Sequence, residues 1–107
     1  MEISQYRIVL VSFDRSFGSE IRKTRPCVVI SPGEMNRHLR TIVVAPMTTR
    51  SRNYPTRIRV KHNNKTGWIV TDQIITIDRP RIIRVLGELS NTEIRKLKDT
   101  LKETYVD

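Results

Sequence analysis

The chain has 107 residues, enough for one hydrophobic core and too few for two independently folding units, so a single domain over residues 1–107 is expected. Apolar residues make up 37% of it and its four glycines and five prolines are scattered, which excludes fibrous and disordered classes; no apolar run approaches the roughly 20 residues that span a bilayer. The net charge of +9 is unevenly spread: residues 1–34 hold five basic and four acidic groups, residues 72–107 hold seven of each, and the remaining +8 lies between positions 35 and 71, where there is no acid at all.

That middle segment carries Arg37, Arg40, Arg50, Arg52, Arg57, Arg59, Lys61 and Lys65. A positive field confined to one stretch attracts a polyanion by counterion release, and nucleic acid is the partner it suggests. The first residues lack the charged start, apolar stretch and small-residue cleavage site of a secretory signal, so a cytoplasmic protein with no membrane association is expected. Cys27 is the only cysteine, which leaves no intramolecular disulfide and no cysteine-based zinc cluster. Placed in the run Cys27-Val28-Val29-Ile30, it reads as a small buried hydrophobe.

In chain order, residues 6–13 are rich in β-branched and aromatic side chains and predict a strand. A polar loop follows through residues 14–25. Residues 26–31 form a second strand, apolar almost throughout and therefore buried on both faces or central in its sheet. Pro32-Gly33 predicts a turn, residues 40–47 a third strand and residues 48–54 a polar loop. Residues 56–62 alternate, with Ile58 and Val60 toward the core and Arg57, Arg59 and Lys61 on a basic surface. Residues 63–67 predict a hairpin turn into a strand over residues 68–71 that continues through 73–77. Trp68 reads as core, with base stacking as the alternative. After a turn at Asp78-Arg79-Pro80, residues 81–86 form another strand.

The last element is helical. Ser90 and Glu93 have capping-box spacing, and Ile94, Leu97, Leu101 and Tyr105 recur at intervals of three and four, the stripe of an amphipathic helix. Short strands with one such helix predict a mainly β fold, a small antiparallel barrel or curled sheet with a helix packed on it.

Few catalytic constellations are available. His38 and His62 lack metal-ligand partners at useful spacing and read as surface residues, and there is no phosphate-binding glycine loop, nucleophile elbow or metal-binding carboxylate pair. No metal or cofactor is expected. RNA offers a route that needs none of these, because its own 2′-OH can attack the adjacent phosphodiester once a protein fixes the geometry, directs the protons and neutralises the phosphorane. Arginine suits the last role through its planar fork.

Several ordered motifs then carry a family resemblance over essentially the whole chain. Gly18-Ser19-Glu20, Lys23-Thr24-Arg25-Pro26, Val28-Val29-Ile30-Ser31-Pro32, Pro46-Met47-Thr48-Thr49, Tyr54-Pro55-Thr56, Thr71-Asp72-Gln73-Ile74 and Thr76-Ile77-Asp78 resemble the signature segments of the MazF/PemK endoribonuclease toxins. The resemblance implies an SH3-like barrel with a C-terminal helix, the fold shared with CcdB. It also implies a homodimer whose groove receives single-stranded RNA, products with a 2′,3′-cyclic phosphate and a 5′-hydroxyl, and silencing by a MazE-like antitoxin. Arg25 matches the active-site arginine, Thr48 the active-site hydroxyl and Glu20 the first-loop glutamate, which either directs the 2′-OH proton or fixes its loop.

Asp72, Gln73 and Thr49 match positions near the RNA groove, Asp72 serving there or at the strand end. Arg50, Arg52 and Lys65 fall in loops beside the groove, where they would hold flanking phosphates. Tyr6-Arg7 and Arg15-Ser16 depart from the common Gly-Asp and Pro-Thr, which bears on the first loop. Two other classes remain as alternatives: a CcdB-like gyrase poison acting through residues 104–107, and an RNA-binding barrel without catalysis.

Overall fold

The computed structural model describes residues 2–13, 23–51 and 53–106. Among them run the strands β1 (Arg7–Ser12) and β2 (Thr24–Val29), the short helix α1 (Gly33–His38), and the strands β3 (Thr41–Thr48), β4 (Arg57–His62) and β5 (Lys65–Val70). A 3-10 turn (Thr71–Gln73), β6 (Ile75–Asp78), a second 3-10 turn (Arg79–Arg81), β7 (Ile82–Glu88) and helix α2 (Asn91–Tyr105) complete the chain.

The strands form an antiparallel sheet in the order β4-β5-β3-β2-β1-β7, with β6 added beside β3. β3 is the hub because it is long enough to serve two partners on one edge. Its first residues pair with β6, Thr41 opposite Asp78, and its last two pair with β5, Met47 opposite Ile69 and Thr48 opposite Trp68. This sharing bends the sheet into a curled half-barrel.

The two faces of the sheet carry separate cores. Val9, Val11, Cys27, Val29, Ile42 and Val44 meet Ile77 and Ile82 on one side. Ile8, Val28, Ala45 and Met47 meet Ile58, Val60, Ile69 and Leu97 of α2 on the other. Successive residues of the Cys27-Val28-Val29 run therefore enter opposite cores, which is why the sequence there is apolar without alternation. Each fully buried aliphatic side chain contributes roughly 1.5–3 kcal/mol, so this double-sided burial holds β2 and β3 in place.

Helix α2 starts as the sequence indicates. The Ser90 hydroxyl accepts the Glu93 N–H and the Glu93 carboxylate accepts the Ser90 N–H, closing a capping box. The second Glu93 oxygen accepts the Lys61 N–H at 3.0 Å, which ties the helix start to β4. At its far end the Tyr105 hydroxyl donates to the Thr71 carbonyl.

Four sequence expectations need correction. The second strand begins at Thr24, so Arg25 lies within β2 and not in the preceding loop. The hairpin turn is only Asn63-Asn64, both with left-handed backbone (φ 51° and 60°), so Lys65 is a strand residue. Asparagine tolerates that conformation, and a two-residue turn of this kind matches the twist of the paired strands. The strand expected over residues 68–77 is broken at Thr71, whose N–H and hydroxyl both donate to the Thr56 carbonyl. Helix α1 was not foreseen: with six residues it is too short to display a stripe, and it is anchored by buried Asn36, whose amide donates to the Ile3 and Ser31 carbonyls.

Candidate active site

The register of β2 on β3 sets Cys27 opposite Pro46, Val28 opposite Ala45 and Val29 opposite Val44. The pairing ends at Cys27 and Pro46, and Arg25 and Thr48 each lie two residues beyond that pair, on adjacent strands where the double core ends. Arg25 and Thr48 line one open cavity of about 390 Å³ with Pro26, Met47, Thr49 and Lys65.

Thr48 is held in a defined orientation. Its Oγ1 accepts the Arg50 N–H at 3.1 Å and donates to the Arg50 carbonyl at 3.2 Å. A phosphate oxygen placed at the cavity could take that donated proton while the Arg50 N–H continued to fix the hydroxyl. Arg25 is exposed, and among the described residues no carboxylate forms an ion pair with it. Its charge is felt by the neighbouring thiol: burial pushes Cys27 up to about 12, offset only in part by Arg25.

The other candidate residues divide. Thr49 and Lys65 line the same cavity, and Arg50 adjoins it through the Thr48 turn. Asp72 does not line it. Its carboxylate receives Arg57 Nε at 3.0 Å and a second guanidinium nitrogen at 3.4 Å, a two-pronged pair between β4 and the 3-10 turn. Desolvation acts to raise the Asp72 carboxyl, but bonds from Arg57, Thr56 and its own backbone, with the Arg57 charge, together hold it below the usual carboxylate value. Gln73 is exposed in the same turn, away from the cavity. Glu20 and Arg52 lie outside the described residues.

Two residues were misjudged from sequence. His62 is half-buried rather than a surface group: it lines the cavity with Arg25 and Thr48, and its Nε2 is buried with no hydrogen-bond partner among the described residues. The signal was present, because His62 continues the inward series Ile58, Val60. Trp68 belongs to neither core cluster, although an apolar strand residue is expected to be core. Among the described residues no cluster of three or more metal-ligating side chains is found, and no helix is long and apolar enough to cross a membrane.

The sequence and the fold both match known proteins. Residues 4–105 fit the family described as PemK-like, MazF-like toxin of type II toxin-antitoxin system. The chain is 30% identical over 92 residues to an endoribonuclease toxin MazF of Escherichia coli strain K12, covering 85% of this chain and 83% of that one. It is 27% identical over 78 residues to an endoribonuclease MazF4 of Mycobacterium tuberculosis, covering 72% and 74%. A solved MazE-MazF crystal structure from Deinococcus radiodurans superimposes with a TM-score of 0.83 at 21% identity, covering 97% of this chain and 96% of that one, which supports the fold. On the family match over nearly its full length, together with the Escherichia coli relative, the chain belongs to the PemK-like, MazF-like toxins of type II toxin-antitoxin systems.

Proposed function

We infer that the chain is an endoribonuclease toxin of a type II toxin-antitoxin system, and we propose that it cleaves single-stranded RNA in the cytoplasm without a metal ion. The observation that carries the chemistry is the juxtaposition of Arg25 and Thr48 at one cavity. In this reaction the 2′-oxygen attacks the adjacent phosphorus as its proton is removed. The bond from phosphorus to the 5′-oxygen breaks, and that oxygen leaves with a proton as a 5′-hydroxyl. The other fragment ends in a 2′,3′-cyclic phosphate.

Arg25 neutralises the charge that grows on the phosphorane and can donate to the leaving oxygen, while Thr48 donates a hydrogen bond to a non-bridging oxygen. An arginine with its ordinary pKa stays protonated at neutral pH, so the base belongs elsewhere, and Glu20 is the proposed candidate. Thr49, Arg50, Arg52 and Lys65 hold flanking nucleotides. Gln73 and Asp72 contact RNA only where it runs beyond the cavity, Asp72 through whatever valence Arg57 leaves free.

Two partners follow from the same reading. Exposed Ile74, Ile75, Tyr105 and Val106 cluster where α2 returns to the 3-10 turn, an apolar surface suited to a second copy of the chain. Relatives are solved in complex with antitoxins, including MazE in Deinococcus radiodurans. A MazE-like antitoxin with an acidic segment is the matching partner for a cationic trough.

The test uses purified protein with EDTA present, incubated with long single-stranded RNAs of varied sequence. Cutting at a short sequence with 5′-hydroxyl ends, abolished in Arg25→Ala and reduced in Thr48→Val, is the expected result. RNA left whole by the wild type would refute the enzymatic reading.

A further inference from the structure

The pairing of β3 carries the site's Thr48 on to two further strands. Thr48 is paired with Trp68 of β5, and Trp68 is paired with Arg59 of β4. Thr48, Trp68 and Arg59 thus form one lateral row across three strands, all on the same face, and Arg25 shares the active-site cavity with Thr48 at the end of that row. With neighbouring strands about 4.8 Å apart, Arg59 stands roughly 10 Å beyond Thr48. Thr48 lines the active-site cavity, and a second cavity of about 530 Å³ is lined by Trp68, Arg57 and Arg59.

Trp68 is half-buried and belongs to neither core cluster. No hydrogen bond or ring contact engages it among the described residues. Arg59 is exposed and, unlike Arg57, has no carboxylate partner among them. A second aromatic flanks this surface: Tyr54 is 48% exposed, and the Arg57 guanidinium lies 5.6 Å from its ring centre. The opposite wall comes from α2, where Lys96 adds a cation and Asp99 and Glu103 add carboxylates. Those acids confine a polyanion to the sheet side of the cavity. Aromatic rings set among cations form the kind of surface that binds single-stranded nucleic acid, rings taking bases and guanidinium groups taking phosphates.

We propose that Trp68 stacks a base of the RNA adjoining the scissile phosphate and that Arg59 holds the next phosphate, so the strand crosses the sheet along the Thr48-Trp68-Arg59 row. This rests on the endoribonuclease reading and assigns the direction in which substrate leaves the site. Stacking tolerates every base, so the pair contributes affinity and register rather than base identity.

Trp68 is the only tryptophan, which makes its fluorescence a direct reporter. After the cleavage sequence is mapped from fragment 5′ ends, a fully 2′-O-methylated RNA 12-mer of that sequence is titrated into the wild type; its blocked nucleophile prevents cutting. Saturable quenching of the indole is expected. With cleavable RNA, Trp68→Ala should raise KM by about 5- to 150-fold, most of it recovered in Trp68→Phe, with the loss in KM rather than kcat. Arg59→Gln should raise KM and flatten its salt dependence. Thermal melting establishes that the variants are folded; should Trp68→Ala fail to fold, wild-type quenching and Trp68→Phe decide. Normal KM in folded Trp68→Ala, or cleavage by a wild type whose indole ignores the 12-mer, overturns the platform and leaves the enzyme reading standing. A wild type that neither binds nor cuts RNA overturns both.

Discussion

The imidazole of His62 occupies the space that Gly87 leaves empty. A Cβ at position 87 would stand 2.7 Å from His62 Cε1, closer than carbon atoms approach. Since β4 and β7 lie at opposite ends of the strand order, this contact closes the curled sheet. Gly87→Ala should therefore cost about 1–3 kcal/mol by overpacking. His62→Ala in the same chain should relieve most of it, so a double-mutant cycle should give a coupling well away from zero. Additive losses in chemical denaturation would mean that the ring moves aside freely.

The Arg57–Asp72 pair gives a pH prediction. Asp72 has a carboxyl lowered in the folded chain, so its stabilising contribution is full above the unfolded value of about 3.9 and is lost as pH falls below it through the folded value. With the Asp72 side chain 36% exposed, solvent screening limits the effect to under about 1 kcal/mol. Asp72→Asn should lower Tm at pH 7 and have a smaller effect at pH 3. An equal difference at both pH values would dissociate the pair from stability.

Cys27 should be chemically silent in the folded protein. It is fully buried and its thiol is pushed up to about 12, so neither access nor thiolate is available near neutral pH. Labelling by an aromatic disulfide reagent at pH 8 should proceed only at the rate of unfolding and accelerate with denaturant. Rapid labelling without denaturant would show that β2 opens locally.

Lys65 on β5 and Arg50 in the turn after β3 adjoin the cavity, and if each holds a phosphate their effects are electrostatic. Lys65→Ala and Arg50→Ala should each weaken binding of a non-cleavable single-stranded RNA and reduce the log-log salt slope by about 0.7 per lost contact. A slope identical to wild type would remove that residue from the RNA path. Because Arg50 also fixes Thr48 through its backbone, Arg50→Ala should leave that N–H contact in place.

Much was legible in the chain because it depends on local periodicity. The alternation of Ile58 and Val60 with Arg57, Arg59 and Lys61 placed β4, the capping-box spacing of Ser90 and Glu93 placed α2, and the family motifs singled out Arg25 and Thr48 before any strand was paired. Less legible were features set by a few residues acting across distance. The break at Thr71 comes from a carbonyl fifteen residues earlier, and the narrow hairpin comes from two asparagines whose left-handed backbone only pairing strands select.

What the sequence by itself determined was which residues alternate, which helix forms and where the positive charge lies, since these follow from spacing and composition. Only the tertiary structure decided which side chains became neighbours. Strand register sets Cys27 beside Pro46, Thr48 beside Trp68 and Trp68 beside Arg59, and a slip of one residue would turn each to the opposite face. That register comes from burial on both sides of β2 and β3, an energy distributed over two cores that no single stretch of sequence contains.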